Sequence, residues 1–258
     1  QIKEIETTLL EKKFNEGMQV AVVTGFQGLA DDGRITTLGR GGSDTSAVAL
    51  AAAMNAERCD IFTDVDGIFT TDPRICGNAR KLDKISYEEM LELASMGAKV
   101  LETRSVELAT RFKVKLRVLS SFNNKSSHDK IGTLVCSEGE IVENKVITGI
   151  AFSKEEAKLT VTGIEDRPGI AASIFGTLAA QSVNVDMIVQ NISENGLTDM
   201  TFSCPIDQVI RAEDALKKAK KNQNLKYGRL LIDSEVAKLS IVGIGMKAHA
   251  GIAKMMFE

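Results

Sequence analysis

One segment in the middle of the chain recurs at its end. Residues 158–175 read "KLTVTGIEDRPGIAASIF", and residues 238–257 read "KLSIVGIGMKAHAGIAKMMF". The copies share Lys-Leu, Gly-Ile, Gly-Ile-Ala and a final Phe, and the later copy has two additional residues in its centre. Such an internal repeat indicates two copies of one supersecondary unit, so the chain holds more than one structural unit.

The first copy, followed to its end, predicts the element order βαββαβ. Apolar and alternating runs predict strands at 159–163, 183–190, 197–205 and 230–232, and helices at 170–180 and about 213–220. This order is typical of a ferredoxin-like unit, in which helices cover one face of an antiparallel sheet.

The first half of the chain alternates strands and helices, which predicts a mainly parallel α/β sheet. Strands are expected at 18–25, 59–65 and 114–120, and helices at 44–56, 87–98 and 105–112. Ser86 and Glu89 have the spacing of a capping box at the start of the second of these helices. Ligand sites of such sheets lie beyond the carboxyl ends of the strands.

Two stretches fall at those ends. "LGRGGSDTSA" (38–47) predicts a strand, a glycine turn and a helix with Ser43 as its N-cap. Backbone amides at such a helix start can bind an anion, but a helix cap with a flexible lead-in explains the stretch equally well. "TDVDGIFTTDPR" (63–74) is rich in aspartate, but its spacing excludes an EF-hand loop, and alone it is typical of a polar turn.

Composition excludes several classes of protein. The 258 residues are 43% hydrophobic, which suffices for two domains, and the net charge of −3 argues against a general nucleic-acid-binding surface. The longest apolar run, 47–54, is too short to span a bilayer, and no signal-peptide pattern opens the sequence. The sequence has four scattered cysteines, Cys59, Cys76, Cys136 and Cys204, and two histidines, His128 and His249. This pattern predicts reduced thiols in a cytoplasmic protein and no zinc or other metal site.

The motifs together resemble the aspartate kinases, a family with C-terminal ACT domains. "GRGGSD", "TDVDGIFTTDPR", "GAKVLETRS" (97–105) and the series "DRPGIAA", "NVDMIVQN" and "TDMTF" occur in the family's order. The resemblance implies the C-terminal part of a kinase domain (1–135), a connection (136–157), a first ACT domain (158–233) and the start of a second (236–258). It also implies ATP-dependent phosphorylation of the aspartate β-carboxylate, the first step of lysine, threonine and methionine biosynthesis.

Substrate and nucleotide residues follow from the same resemblance. It places Phe26, Arg40, Ser43 and Asp44 around L-aspartate. It places Thr63, Asp64, Phe69, Arg74, Lys99 and Val100 around ATP, which would carry Mg²⁺. These residue types suit the chemistry, because a forked guanidinium binds a carboxylate and cations neutralise phosphate charge.

The ACT units are implied to bind an amino-acid effector, lysine or threonine, that inhibits the enzyme. The implied site comprises Asp166, Arg167, Pro168, Gly169, Ile170, Ala171, Asn184, Val185, Asp186 and Gln190, with Ile252 and Ala253 from the second copy. Without the resemblance, "DRPG" would be interpreted as a turn that starts a helix. Pairing of ACT units predicts a homo-oligomer.

The chain departs from the family pattern at its ends. The lysine- and glycine-rich phosphate-binding motif and a glutamate contact of the family have no match, and the second copy stops inside its first helix. We therefore expect a chain truncated at both ends, with little or no activity alone. Two alternatives remain: another amino-acid kinase, acting for example on glutamate or acetylglutamate, and a non-catalytic amino-acid sensor.

Overall fold

The computed structural model describes residues 2–98, 100–122, 132–141, 146–192, 196–243 and 251–257. The chain forms two compact units. The first comprises Gln1–Phe152 and Ser240–Glu258, and the second comprises Ser153–Leu239. The second unit is therefore inserted, in sequence, into the first.

In its described residues up to Ser153, the first unit has four helices and seven strands. The helices are α1 (Thr8–Asn15), α2 (Gly42–Ala53), α3 (Tyr87–Ser95) and α4 (Thr103–Phe112). The strands are β1 (Gln27–Leu29), β2 (Ile35–Thr37), β3 (Cys59–Thr63), β4 (Lys84–Ser86), β5 (Leu116–Ser120), β6 (Thr133–Cys136) and β7 (Gly149–Ser153). A 3₁₀ turn follows β6 at Glu138–Glu140.

The main sheet of the first unit has the strand order β3-β5-β6-β4. β3 pairs with β5 and β4 pairs with β6 in parallel, whereas β5 and β6 are antiparallel. Every residue of β5 is buried. Val48 of α2, Met90 of α3 and Val106 of α4 are fully buried in the same core. The predicted α/β architecture is therefore confirmed, with a mixed sheet in which parallel pairs predominate.

The predicted strand at 18–25 is wrong, because the structure assigns no strand there. The side chains of Val20 and Val22 are 76% and 98% exposed, and none of the residues of the neighbouring α1 is buried. An alternating apolar segment becomes a strand only when another strand takes its backbone hydrogen bonds. Within the described ranges no strand pairs with this segment.

The predicted capping box at the start of α3 is confirmed. The Glu89 N–H donates to Ser86 Oγ at 3.2 Å, and the Ser86 N–H donates back to Glu89 Oε2 at 3.3 Å. The Glu89 carboxylate also accepts a hydrogen bond from the hydroxyl of Thr148. The two oxygens of this buried carboxylate thus link the start of α3 to the segment that precedes β7.

The second unit has the predicted βαββαβ order. Its elements are β8 (Glu156–Glu165), α5 (Ile170–Ala179), β9 (Ile188–Ile192), β10 (Leu197–Pro205), α6 (Val209–Lys221) and β11 (Leu230–Asp233), with a 3₁₀ turn at Ile206–Gln208. All pairings in the sheet β11-β8-β10-β9 are antiparallel. Ile174 of α5, Leu216 of α6 and Phe202 of β10 form its core.

β9 is shorter than the sequence predicts, since it begins at Ile188 instead of Val183. The residues before it still contact β10, because the Asp186 N–H donates to Ser203 O and the Ser203 N–H donates to Met187 O, each at 3.0 Å. These bonds hold the segment beside the sheet without a regular ladder.

The chain returns to the first unit through β12 (Lys238–Val242) and ends in the short helix α7 (Ile252–Phe257). β12 pairs with β7, and the Thr148 N–H donates to Val242 O at 2.8 Å. Val242 is completely buried in the first unit's core. Among the described residues, no helix is long and apolar enough to cross a bilayer.

Candidate functional site

The glycine turn between β2 and α2 starts the helix earlier than predicted. α2 begins at Gly42, and its N-cap is Gly41, with a φ of 68°. The Thr45 N–H donates to Gly41 O at 3.0 Å, which closes the first helical turn before Ser43 could act as the cap. The prediction of Ser43 as N-cap is therefore wrong, and Ser43 lies in the first turn.

The start of α4 packs directly against this turn. A Cβ atom on Gly41 would lie 1.9 Å from Cγ of Glu102, so only glycine fits there. Glu102 Oε1 lies 3.4 Å from Nε of Arg40, and Arg104 Nη1 donates to Leu38 O at 2.9 Å. Two side chains of α4's N-terminal end thus hold the turn on both sides of Gly41.

Asp44, in the first turn of α2, lies close to Glu102 at the start of α4. It is half-buried, and this burial raises the pKa of its carboxyl above the ordinary value. The negative charge of Glu102 acts in the same direction, whereas a hydrogen bond from the backbone N–H of Glu102 lowers the pKa. The carboxylates of Asp44 and Glu102 therefore form an acidic pair next to the guanidinium of Arg40.

The raised pKa of Asp44 predicts a pH-dependent cost in stability. A carboxyl whose pKa is higher in the folded state destabilises that state when ionised, and this cost disappears as the pH falls through the folded-state pKa. We expect Asp44→Asn to be more stable than the unchanged chain at pH 7, with the difference shrinking towards pH 4. Urea unfolding at both pH values tests this. Asp31→Asn, at a largely exposed position, is the control.

A variant Asp44→Asn that is less stable at pH 7 would show that the ionised carboxylate stabilises the helix start. The hydrogen bond from the Glu102 N–H would then outweigh the desolvation of Asp44.

Phe26 lies against the same end of α2. It has a φ of 67°, its N–H donates to Ser46 Oγ at 3.2 Å, and its carbonyl accepts from the Leu38 N–H at 2.9 Å. A Cβ on Gly42 would lie 3.0 Å from the Phe26 ring. The structure therefore brings the four predicted substrate residues to the first turn of α2, and their contact with aspartate stays a prediction.

The predicted nucleotide residues lie on the segment that follows β3. Thr63 ends β3, and its hydroxyl donates to Asp64 Oδ1 at 3.2 Å. The exposed Arg74 closes on Asp72, with Nη2 at 2.8 Å from Oδ2, and this guanidinium holds the pKa of Asp72 below its usual range. A phosphate group at Arg74 must therefore compete with Asp72.

The other predicted nucleotide residues have structural contacts or fall outside the described ranges. Phe69 is half-buried and forms an isolated antiparallel bridge with Lys81. Val100 packs against the first unit's core. Lys99 lies outside the described residues.

The predicted effector residues of the second unit lie on two loops, in the first turn of α5 and on β9. Asp166 follows β8, and its N–H donates to Gly196 O at 3.1 Å. Gly169 caps α5 with a φ of 86°, and Ile170 begins the helix as a buried residue. Arg167 and Pro168 of the same loop are exposed, and Ala171, in the first turn of α5, packs against the core.

The second loop precedes β9. Here the Asn184 N–H donates to Gln208 Oε1 at 2.8 Å, Val185 packs against the core, and the Asp186 carboxylate accepts from Nζ of Lys238. Gln190 is an exposed residue of β9. Ile252 and Ala253 belong to α7 of the first unit.

Sequence reasoning missed three residues of these sites. Glu102 and Arg104 stand in "LETRS", and charged residues at a helix start are too common to indicate a binding site. Lys238 is part of the repeat, but nothing in the sequence places it beside Asp186, 52 positions away. All three contacts are long-range, so only the folded chain reveals them.

Two family profiles match the chain. The profile of the Amino acid kinase family matches residues 1–120, and that of the ACT domain matches residues 159–222. The first match contains both the glycine turn and the segment after β3. The second contains α5, β9 and β10.

Curated relatives are similar over the whole chain. An aspartate kinase of Pseudomonas putida is 48% identical over 258 residues, and the aspartokinase of Corynebacterium glutamicum is 50% identical over 254 residues. The alignments cover 100% and 96% of this chain but 61% and 58% of those proteins. The chain thus spans about three fifths of the length of the curated relatives it matches.

Solved structures agree with these matches. E. coli aspartokinase III in complex with aspartate and ADP (R-state) aligns with a TM-score of 0.75 at 30% identity, over 97% of this chain and 54% of that one. The same enzyme in complex with lysine and aspartate (T-state) aligns with a TM-score of 0.70 at 32% identity, over 92% and 51%. Residues 1–120 therefore belong to the amino acid kinase family and residues 159–222 to the ACT domain, and the chain as a whole is similar to aspartokinases.

Proposed function

We propose that the chain is part of an aspartate kinase that transfers the γ-phosphoryl group of ATP to the β-carboxylate of L-aspartate. The products are 4-phospho-L-aspartate and ADP. The observation that supports this most directly is the group of Phe26, Arg40, Ser43 and Asp44 at the first turn of α2. A solved relative, E. coli aspartokinase III, has been crystallised with aspartate and ADP.

The chemistry of this group suits an amino-acid substrate. Arg40 is largely exposed and can offer a two-pronged donor to a carboxylate, and the N-terminal end of α2 favours negative charge. Asp44 can accept a hydrogen bond from the substrate ammonium. Glu102 would hold Arg40 until a substrate carboxylate replaces it.

The nucleotide would lie along the segment after β3, with Arg74 on a phosphate. Mg²⁺ would come with ATP and would neutralise the charge that develops on the phosphoryl group during transfer. In the described part of the chain, no cluster of three or more metal-ligating side chains occurs. This fits an ion that takes most of its ligands from phosphates and water and needs one or two carboxylates, for which Asp64 is available.

The second unit would bind an inhibitory amino acid, lysine or threonine. Asp166 or Asp186 would accept the effector ammonium, and the amides at the start of α5 would bind its carboxylate. E. coli aspartokinase III has been solved with lysine in a T-state, which supports an effector of this class. We extend the proposal to a cytoplasmic homo-oligomer paired through ACT units, in the first step of lysine, threonine and methionine biosynthesis.

Activity measurements on a completed chain test the kinase proposal. The 258 residues would be joined to the part of the Pseudomonas putida relative that the alignment leaves uncovered, and acyl phosphate would be trapped with hydroxylamine. We expect activity that depends on ATP, Mg²⁺ and aspartate. Arg40→Gln is expected to raise the KM for aspartate about 10- to 100-fold, because hydrogen bonds between charged groups contribute about 1.5–3 kcal/mol.

Arg34→Gln is the matched control, since Arg34 is an exposed arginine of the same region that pairs with Asp32. It is expected to leave the KM unchanged. A completed chain without activity that still binds an amino acid would favour the non-catalytic sensor instead.

A further inference from the structure

Lys238 places an ammonium group between two carboxylates of the second unit. Its Nζ donates to Asp186 Oδ2 and lies 3.6 Å from Glu156 Oε1. The Lys238 side chain is only 13% exposed, although lysine side chains usually lie in solvent. The ammonium of this lysine, at the first residue of β12, is therefore held next to the loop that contains Asp186.

The same carboxylate is a predicted partner of a free effector. Asp186 stands in the loop before β9 that the resemblance assigns to the effector site. A lysine side chain and the α-amino group of a free amino acid both present an ammonium with three N–H donors. Nζ of Lys238 is already on Oδ2 of Asp186, and a second ammonium beside the same carboxylate would be repelled by its positive charge. Binding of the effector ammonium is therefore weakened for as long as Lys238 stays there.

We propose that Lys238 is a built-in competitor for the effector ammonium at Asp186. This inference rests on the proposed effector function of the second unit. The effector binds Asp186 by displacing Nζ of Lys238, and the lysine thereby sets the effector concentration at which the site fills.

Glu156 provides the position for the displaced ammonium. Its Oε1 already lies near Nζ, and its Oε2 is buried without a hydrogen-bond partner among the described residues. A buried carboxylate oxygen of this kind is stabilised by a new charge-assisted hydrogen bond. Lys238 can therefore move from Asp186 to Glu156 without leaving its charge unpaired.

The repeat supplies an internal comparison. Lys158 occupies the position in the first copy that Lys238 occupies in the second. Its Nζ lies 3.8 Å from Asp233 Oδ2, and its side chain is 51% exposed. The two lysines share sequence context but not surroundings, which makes Lys158 the matched control.

Isothermal titration calorimetry of the 258-residue chain with L-threonine and with L-lysine tests the proposal. Lys238→Gln removes the competing charge and is expected to lower the Kd of the bound amino acid about 10-fold, equivalent to about 1.4 kcal/mol. Lys238→Arg keeps the charge and is expected to stay near the unchanged chain. Lys158→Gln is expected to leave the Kd unchanged.

The outcomes separate this inference from the effector proposal itself. If the unchanged chain and all three variants bind neither amino acid, the effector function fails and the competition fails with it. If the unchanged chain binds but Lys238→Gln binds equally or more weakly, the competition is overturned while the effector function stands.

A second measurement needs no change of charge at the site. In a chain with ¹³C-labelled lysine, the ε-methylene NMR signal of Lys238 is identified by its absence in Lys238→Arg. We expect this signal to shift when the effector saturates the chain, whereas the Lys158 signal stays in place. A Lys238 signal that does not move at saturation would overturn the proposal even if Lys238→Gln fails to fold.

Discussion

Replacing Gly41 by alanine is expected to lower the free energy of unfolding of the first unit by about 2–4 kcal/mol, from backbone strain and overpacking together. The new Cβ would lie 1.9 Å from Cγ and 2.6 Å from Cβ of Glu102, so α4 would have to move away from the turn. The residue would also have to keep a φ of 68°, which L-residues rarely adopt. Urea unfolding followed by circular dichroism gives the difference.

Gly39→Ala separates the two causes. Gly39 has a φ of 79°, but no described atom lies within 4 Å of a Cβ placed there. The strain alone is expected to cost about 1–2 kcal/mol. Equal losses for both variants would mean that the contact between Gly41 and Glu102 contributes nothing, and that the turn tolerates a side chain.

Truncating Phe202 to alanine is expected to destabilise the second unit by about 3–5 kcal/mol, the usual range for a buried phenylalanine. The side chain is 1% exposed, and its ring meets Phe175 edge-to-face at a centroid distance of 5.7 Å. The cavity would lie between the sheet and α5. Thermal unfolding should show a transition at a lower temperature than in the unchanged chain, accompanied by loss of any amino-acid binding.

Ile210→Ala is the control for this prediction. Ile210 is 74% exposed on α6 of the same unit, so its truncation should change stability by less than about 0.5 kcal/mol. If Phe202→Ala unfolds no earlier than Ile210→Ala, the core of the second unit does not limit its stability.

Local sequence patterns predicted the second unit well. β10 has the predicted limits, and α5 and β11 differ from theirs by a residue at one end. Strands here alternate and helices carry one apolar face, so each element's periodicity reports the side that packs on the core. The capping box at Ser86 succeeded for a similar reason, because both partners lie within one helical turn.

Predictions failed where the outcome depends on distant partners. Residues 18–25 alternate like a strand, yet the described chain offers them no neighbouring strand. Ser43 has the chemistry of an N-cap, but α2 begins earlier, with Gly41 as its N-cap. Glycine takes the positive φ at this position and has no Cβ that would overlap with Glu102.

The candidate sites show the same division between local and long-range information. The residues around Arg40 and Asp44 could be named from motifs, because they stand within one turn of a helix start. Their supports, Glu102 and Arg104, are about 60 positions away in the sequence, and the partner of Asp186 is 52 positions away. No periodicity or spacing rule reaches that far.

The division of the first unit into two pieces has a consequence for the order of folding during synthesis. The hydrogen bond from the Thr148 N–H to Val242 O, and the packing of Val242 in the core, can form only after the ribosome has made all of residues 153–239. The inserted unit is continuous and can fold as soon as it emerges, since domains generally fold as units during translation. The inserted unit can therefore fold before the first unit is complete. The core of the first unit closes only after β12, which follows the inserted unit, has been synthesised.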